Sequence, residues 1–170
     1  MTGADERLAR AVATTASYRG AVERGDVEGF LATLAPGAVL RSPITMRTDF
    51  RGHEQLRELM VAVFATVQDI AFFEEVGDAR TRVLFYRARA ATQPLEEATL
   101  LRLDEEARIT ELTIWFRPLP GLTAVMAGLA PRLAGRRARW RGVAAAALTG
   151  PLAPLTRAGD RVGARLLGRR

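Results

Sequence analysis

Residues 25–45 read GDVEGFLATLAPGAVLRSPIT, and the parsing of this stretch decides the fold. Gly25 and Asp26 break any helix arriving from upstream. Asp26 is a good N-cap for a new one, because its side chain can accept from an orphan amide of the first turn. Phe30, Leu31 and Leu34 give that second helix its core face. Pro36-Gly37 then turns the chain, and residues 38–41 form a short strand that stops at Ser42-Pro43.

Working outward, residues 5–24 place Leu8, Val12, Thr15, Tyr18 and Val22 at spacings of three or four, which predicts an amphipathic first helix. Residues 48–52 form a loop with a short bridge. Residues 53–68 form a third helix with Leu56, Leu59, Met60, Val63 and Val67 inward. The period then changes from helical to extended. Residues 70–76, 81–92, 97–104 and 109–118 read as four successive strands, with turns at Gly77-Asp78, Gln93-Pro94 and Asp104-Glu105-Glu106. In the last strand Leu112, Ile114 and Phe116 alternate with Glu111, Thr113 and Trp115. Helices followed by a run of antiparallel strands predict an α+β layer with the helices on one sheet face.

The chain has 170 residues, 48% of them hydrophobic, enough for one good core and an appendage. No cysteine is present, which excludes disulfides and cysteine-based zinc sites. The N-terminal residues lack a signal-peptide core and no apolar run has membrane-spanning length, so the expectation is a soluble cytoplasmic protein. The net charge of +6 is uneven. All 25 basic residues are arginine; residues 1–130 carry a net −3, whereas residues 131–170 carry ten arginines against Asp160 alone, +9. The domain reading is therefore a domain over residues 1–130 and a basic helical extension over 131–170. Ala144 to Ala147 form a helical stretch ended by Gly150-Pro151, and a further helix over about 155–167 carries Arg157, Arg161, Arg165 and Arg169 as one stripe.

GDVEGFLATLAPGAVLRSP, the following FRGHEQLRELM of residues 50–60 and the closing DEEARITELTIWFRPL of residues 104–119 together resemble the nuclear-transport-factor-2-like superfamily. The closer likeness is to its SnoaL-like branch, which includes polyketide cyclases and is related to ketosteroid isomerase and limonene epoxide hydrolase. The resemblance implies a cone: a strongly bent antiparallel sheet around the N-terminal helices, enclosing a small-ligand cavity. It carries the isomerase's phenol donor to Tyr18, its carboxylate base to Ser42 and its second, protonated carboxyl to Thr99. Two of those three groups are therefore lost. The hydrolase's water-activating carboxylate would fall among Leu112, Ile114 and Phe116, all apolar, so neither relative's mechanism transfers unchanged. A lone serine hydroxyl does not ionise near neutral pH and cannot replace a carboxylate base.

Each candidate has a bland reading beside the functional one. Tyr18 is a cavity donor or a core ring with its hydroxyl at the rim; Ser42 is a polar contact or a turn residue before proline; Thr99 is a strand residue or a pocket group. His53, the sole histidine, is an acid/base group or an exposed residue in the first turn of helix three. Glu97 shares strand parity with Thr99 and, if buried, becomes a base with a raised pKa; a one-residue slip would exchange it with Glu96. Tyr86 and Arg87 raise the same question of register. No metal site is expected, since no partner histidine or cysteine exists, and no cofactor is implied.

The reading is a small hydrophobic molecule bound in a pocket lined by Tyr18, Phe30, Met60, Phe85, Leu112, Ile114 and Phe116, without the usual carboxylate base. The competing reading is an isomerase, cyclase or hydratase using Tyr18 with Glu97 or His53. Trp115 and Thr113 make the outer sheet face a homodimer surface. The tail folds back in water, attaches peripherally to an anionic membrane or contacts nucleic acid; the last is disfavoured because only Trp140 is aromatic there.

Overall fold

The structure is a computed structural model that describes residues 3–47 and 49–168, and for residues 136 and 137 the backbone only. Along the chain run α1 (Gly3–Arg24), α2 (Val27–Ala32), β1 (Leu34–Arg41), β2 (Asp49–Arg51), α3 (Gly52–Phe64), β3 (Val67–Gly77), β4 (Thr81–Ala90), β5 (Gln93–Leu103), β6 (Ile109–Arg117), α4 (Leu119–Arg137), α5 (Arg139–Thr149) and α6 (Leu152–Leu166). The strands form one six-stranded sheet in the order β2-β1-β6-β5-β4-β3. The α+β reading holds, with helices packed on the inner face of a curved, open sheet.

Local chemistry accounts for the first corner. Gly25 leaves α1 with φ +66°, a left-handed conformation that suits glycine. The Asp26 carboxylate then accepts from the Gly29 amide at 2.8 Å and caps α2. Two expectations are corrected here. Pro36-Gly37 does not turn the chain; both lie within β1, where pairing with β6 shifts register between Leu34 and Val39. β1 also runs parallel to β6, so the sheet is mixed rather than wholly antiparallel. A proline fits because the shifted segment pairs with nothing at that point.

Other boundaries move by a few residues. α3 ends at Phe64 and Val67 opens β3. Gln93-Pro94 belongs to β5; the reversal sits at Ala91, whose φ is +52°. Leu8 and Val12 are 41% and 44% exposed, so the buried face of α1 is instead Ala11, Thr15, Tyr18, Ala21 and Val22. Where a loop with a short bridge was expected across 48–52, Asp49–Arg51 form the strand β2; Thr48 lies outside the described residues.

One core cluster joins α1, α2 and α3 to the sheet through Phe30, Leu31, Leu56, Leu84, Leu101 and Leu112. A second joins α4 to β3, β4 and β5 through Val67, Tyr86, Leu95, Val125 and Leu129. Helix α4 was not expected from the sequence, and it runs through the residue-130 boundary with Pro131 inside it. Its first turn carries Pro120, a position proline tolerates because the amide there has no helical partner.

Gly128 lets α4 lie close to the chain after α3. A Cβ there would meet the Thr66 Cγ2 at 2.3 Å, and Thr66 is held by its hydroxyl bond to the Ala62 carbonyl at 2.8 Å. Gly128→Ala is expected to lower stability by about 1–2 kcal/mol through overpacking. In a Thr66→Ala background the same change should be neutral or stabilising, because the helical gain of about 1 kcal/mol is then unopposed. Thermal melts of the four chains give this reversal of sign directly.

Candidate functional site

A cavity of about 370 Å³ lies between the inner sheet face and the helices. The sheet contributes Ile70 from β3, Tyr86 from β4, Glu97 from β5, and Ile114 and Phe116 from β6. Tyr18 and Val22 of α1, Phe30 of α2 and Leu59, Met60 and Val63 of α3 form the opposite wall. Residues 42–45 and Phe50 close another side, and α4 covers most of the rest with Val125, Met126, Leu129, Ala130 and Leu133, joined by Thr149 of α5. This size and apolar lining suit a small hydrophobic molecule rather than water.

Glu97 is the one carboxylate among the described lining residues. It is 5% exposed. Strand pairing sets it opposite Tyr86 on β4 and Phe116 on β6, and those three side chains face inward together. The Tyr86 hydroxyl donates to Glu97 Oε2, and the Thr99 hydroxyl donates to Glu97 Oε1 at 2.5 Å. An ionised carboxylate offers about four acceptor positions, so two remain for a ligand. Burial raises the Glu97 pKa from its ordinary 4.5 to about 7, while the bonds from Thr99 and Tyr86 hold it lower than burial alone would.

Tyr18 and Tyr86 are both pushed well above the ordinary phenol value, first by burial and then by the Glu97 charge; the Thr99 hydroxyl opposes this at Tyr18. Both phenols therefore stay protonated and act as donors. Their rings are fixed in an aromatic chain. Tyr18 lies 5.7 Å from Phe30 and 6.2 Å from Phe72, and Phe72 lies 5.2 Å from Tyr86, centroid to centroid. Such a site can bind an apolar molecule, donate to one of its oxygens and move a proton at a carboxyl poised near neutrality.

Of the residues expected at the site, Tyr18, Phe30, Ser42, Met60, Glu97, Ile114 and Phe116 line the cavity. Thr99 is fully buried and reaches the site through Glu97 and Tyr18 rather than lining it. Two expected lining residues are corrected. Phe85 has odd parity on β4 and faces outward against Phe73, at 6.2 Å between centroids. Leu112 faces inward but is sealed in the core at 0% exposure.

His53 stands in the first turn of α3, near Glu28 of α2, and does not line the cavity. The choice between Tyr86 and Arg87, open in the sequence, falls to Tyr86, which pairs with Glu97. The α4 residues were missed, although Leu122, Val125, Met126, Leu129 and Leu133 carry helical spacing. Among the described residues no three His, Asp or Glu side chains converge to hold a metal.

A family model described as the SnoaL-like domain matches residues 14–112. The chain belongs to the SnoaL-like domain family. Among solved structures it is similar to a steroid delta-isomerase from Pseudomonas aeruginosa, with 30% identity over 76% of this chain and 96% of that one, TM-score 0.69. It shares its fold with a protein of cystatin-like fold from Silicibacter pomeroyi, at 18% identity over 71% and 84% of the two chains, TM-score 0.67. It also shares it with SalBIII, an epoxide hydrolase/cyclase-like enzyme of pyran ring formation in salinomycin, at 16% identity over 69% and 95%, TM-score 0.55. No curated protein matches the sequence.

Within the SnoaL-like frame the strand-end position implied for a base holds Ser42, whose hydroxyl accepts from the Ile44 amide at 3.1 Å. The turn role and the lining role thus coincide. The carboxyl that lines this cavity is that of Glu97, two residues before the Thr99 position on the same strand face. Beyond the matched family segment, Ile114 and Phe116 of β6, residues 125–133 of α4 and Thr149 of α5 supply the remaining wall.

Proposed function

We propose that this SnoaL-like protein is an acid/base enzyme of the isomerase or cyclase kind, acting on a small hydrophobic molecule with one oxygen function. The observation that carries the reading is a single buried carboxyl at the wall of an otherwise apolar cavity, with a pKa of about 7. Glu97 in its ionised form accepts a proton from the bound molecule and returns it at a second position. Tyr18 donates a hydrogen bond to the oxygen on which negative charge develops. Tyr86 and Thr99 orient the carboxylate and stay protonated throughout.

The similarity to a steroid delta-isomerase makes a ketosteroid a rational first substrate. The test is conversion of an unconjugated to a conjugated ketosteroid, followed by ultraviolet absorbance from pH 5 to 9. Activity that rises with pH through about 7 and vanishes in Glu97→Gln supports the reading; activity retained in Glu97→Gln removes Glu97 as the proton carrier. The alternative, binding without turnover, is favoured by Ser42 at the strand end. It predicts a ligand retained in native mass spectrometry of protein from its own host, together with no turnover of that ligand.

A second copy is the proposed partner of the outer sheet face. Trp115, Ala98 and Phe85 form one outward row, which Phe73 extends from the irregularity in β3 by ring contact with Phe85, and Thr113, Leu100, Val83 and Val76 form the next, with Trp115 53% exposed. Flanking arginines are partly offset, Arg87 and Arg117 by Glu96 and Arg41 and Arg102 by Glu111, which lessens the repulsion between like surfaces. Light scattering is expected to give a dimer that Trp115→Glu converts to monomer; a monomeric unmodified chain overturns the pairing.

A further inference from the structure

Helices α5 and α6 are packed the wrong way round for a monomer. In α6, Leu155, Gly159, Val162 and Leu166 recur at intervals of four, three and four and so share one stripe. A surface helix ordinarily turns such a stripe inward. Here the opposite side meets α4, where the Thr156 and Thr123 hydroxyls lie 2.7 Å apart. No residue of α6 is buried, and Leu155, Val162 and Leu166 are 66%, 52% and 82% exposed.

The same inversion holds in α5. Its contact with α4 is made through glycines: a Cβ on Gly142 would stand 3.0 Å from the Gly135 Cα and 3.1 Å from the Pro131 carbonyl oxygen. Trp140, Val143 and Leu148 point into solvent instead. The small residues hold the helices to the domain, and the large apolar ones are left to meet something else.

Charge decides what that is. Arg161 and Arg165 lie outside the leucine stripe and exposed, whereas Arg157 falls on the side turned toward the domain, where its Nε is buried; residues 131–170 carry +9 with Asp160 as the lone acid. A second copy would set this surface against its own charge. A nucleic acid would satisfy the arginines and leave the leucines in water. A bilayer with anionic headgroups satisfies both, since arginine can pair with phosphate while leucines enter the acyl boundary, and tryptophan is favoured at that depth. The Arg141 guanidinium already sits 5.5 Å from the Trp140 ring centroid, an arrangement suited to the interface.

We infer that α5 and α6 dock this protein on an anionic lipid bilayer, with the Leu155–Val162–Leu166 stripe inserted and the arginines on lipid phosphates. No described helix is long and apolar enough to cross a membrane, so this is surface attachment. It is independent of the chemistry in the cavity.

The test uses the full chain and flotation with vesicles of equal parts phosphatidylglycerol and phosphatidylcholine, against vesicles of phosphatidylcholine alone. Binding is expected to the first and not the second, and to weaken as salt is raised. Leu155→Asp with Leu166→Asp should weaken it roughly tenfold or more, without shifting the melting temperature, because both side chains are exposed. Arg161→Glu with Arg165→Glu should weaken it by at least about tenfold. Absence of binding at low salt overturns the proposal. So does undiminished binding by the leucine variant with displacement by duplex DNA, which would mark a general polyanion site. A fall in oligomeric mass of the leucine variant in light scattering would assign the stripe to a second copy and overturn it equally.

Discussion

Glu97→Gln is expected to lower turnover by about 10²–10⁴-fold while making the protein more stable above neutral pH. The two effects share one cause. Burial holds the folded-state pKa of Glu97 at about 7 against an ordinary 4.5. The native state therefore binds more protons than the unfolded chain between those values, and stability falls as pH rises through that window. A gap of roughly 2.5 pH units corresponds to about 3 kcal/mol. That contribution is fully present below about 4.5 and lost above about 7.

Glutamine keeps an acceptor for Tyr86 and a group for Thr99 without the buried charge. The variant's melting temperature should consequently stay flat across the window while the unmodified chain declines. Tyr86→Phe supplies the directional control. Its hydroxyl bond lowers the Glu97 pKa, so its loss should shift the rising limb of activity to higher pH and leave activity measurable. A flat stability profile for the unmodified chain would contradict the buried carboxyl and its role together.

Arg82→Met is expected to destabilise the fold by about 3 kcal/mol, the second large effect. Arg82 is 7% exposed on β4, and its Nε donates to Glu75 Oε1 at 2.6 Å. Thr15 of α1 donates to the same oxygen at 2.6 Å, and Arg19 reaches Oε2 at 3.5 Å. Burial alone would raise the Glu75 pKa; the Thr15 and Arg82 hydrogen bonds and the two guanidinium charges outweigh it and leave it below the ordinary value.

Removing Arg82 leaves a half-buried carboxylate with only the Thr15 hydroxyl and the more distant Arg19 to offset its lost hydration. The penalty should shrink as pH falls and Glu75 takes up a proton, and Glu75→Gln added to Arg82→Met should recover most of it. In the unmodified chain the sign is opposite to that of Glu97. Glu75 stabilises above the ordinary carboxylate range and loses that contribution as pH falls through its lowered pKa. Urea titrations of the unmodified chain and the two variants at pH 5 and 7.5 measure both the loss and its recovery.

Much of this molecule is legible because local signals agree. Gly25-Asp26 break and cap a helix by their own chemistry, and α2 begins where they say. Alternation in β6 identified Ile114 and Phe116 as inward, and parity on β5 linked Glu97 to Thr99. The failures occur where a neighbour overrides a local preference. Pro36-Gly37 reads as a turn, yet the irregular pairing of β1 with β6 keeps it in a strand. Phe85 is apolar enough for any pocket, and its parity places it outside. Leu112 has the right parity but sits in sealed core rather than beside the cavity. Helix α4 lay beyond the recognisable family pattern, so its helical spacing went unread.

The sequence by itself determined the order of helices and strands through β6 and the concentration of positive charge after residue 130, and the family resemblance implied the loss of a carboxyl at positions 42 and 99. The first two follow from residue identity and spacing along one chain. Tertiary structure alone decided that Glu97 rather than Glu96 enters the cavity, that Tyr86 meets it there, and that α4 closes the wall. The physical reason is that strand pairing turns a shift of one residue into a change of face. Burial then turns an ordinary glutamate into a group that titrates near pH 7.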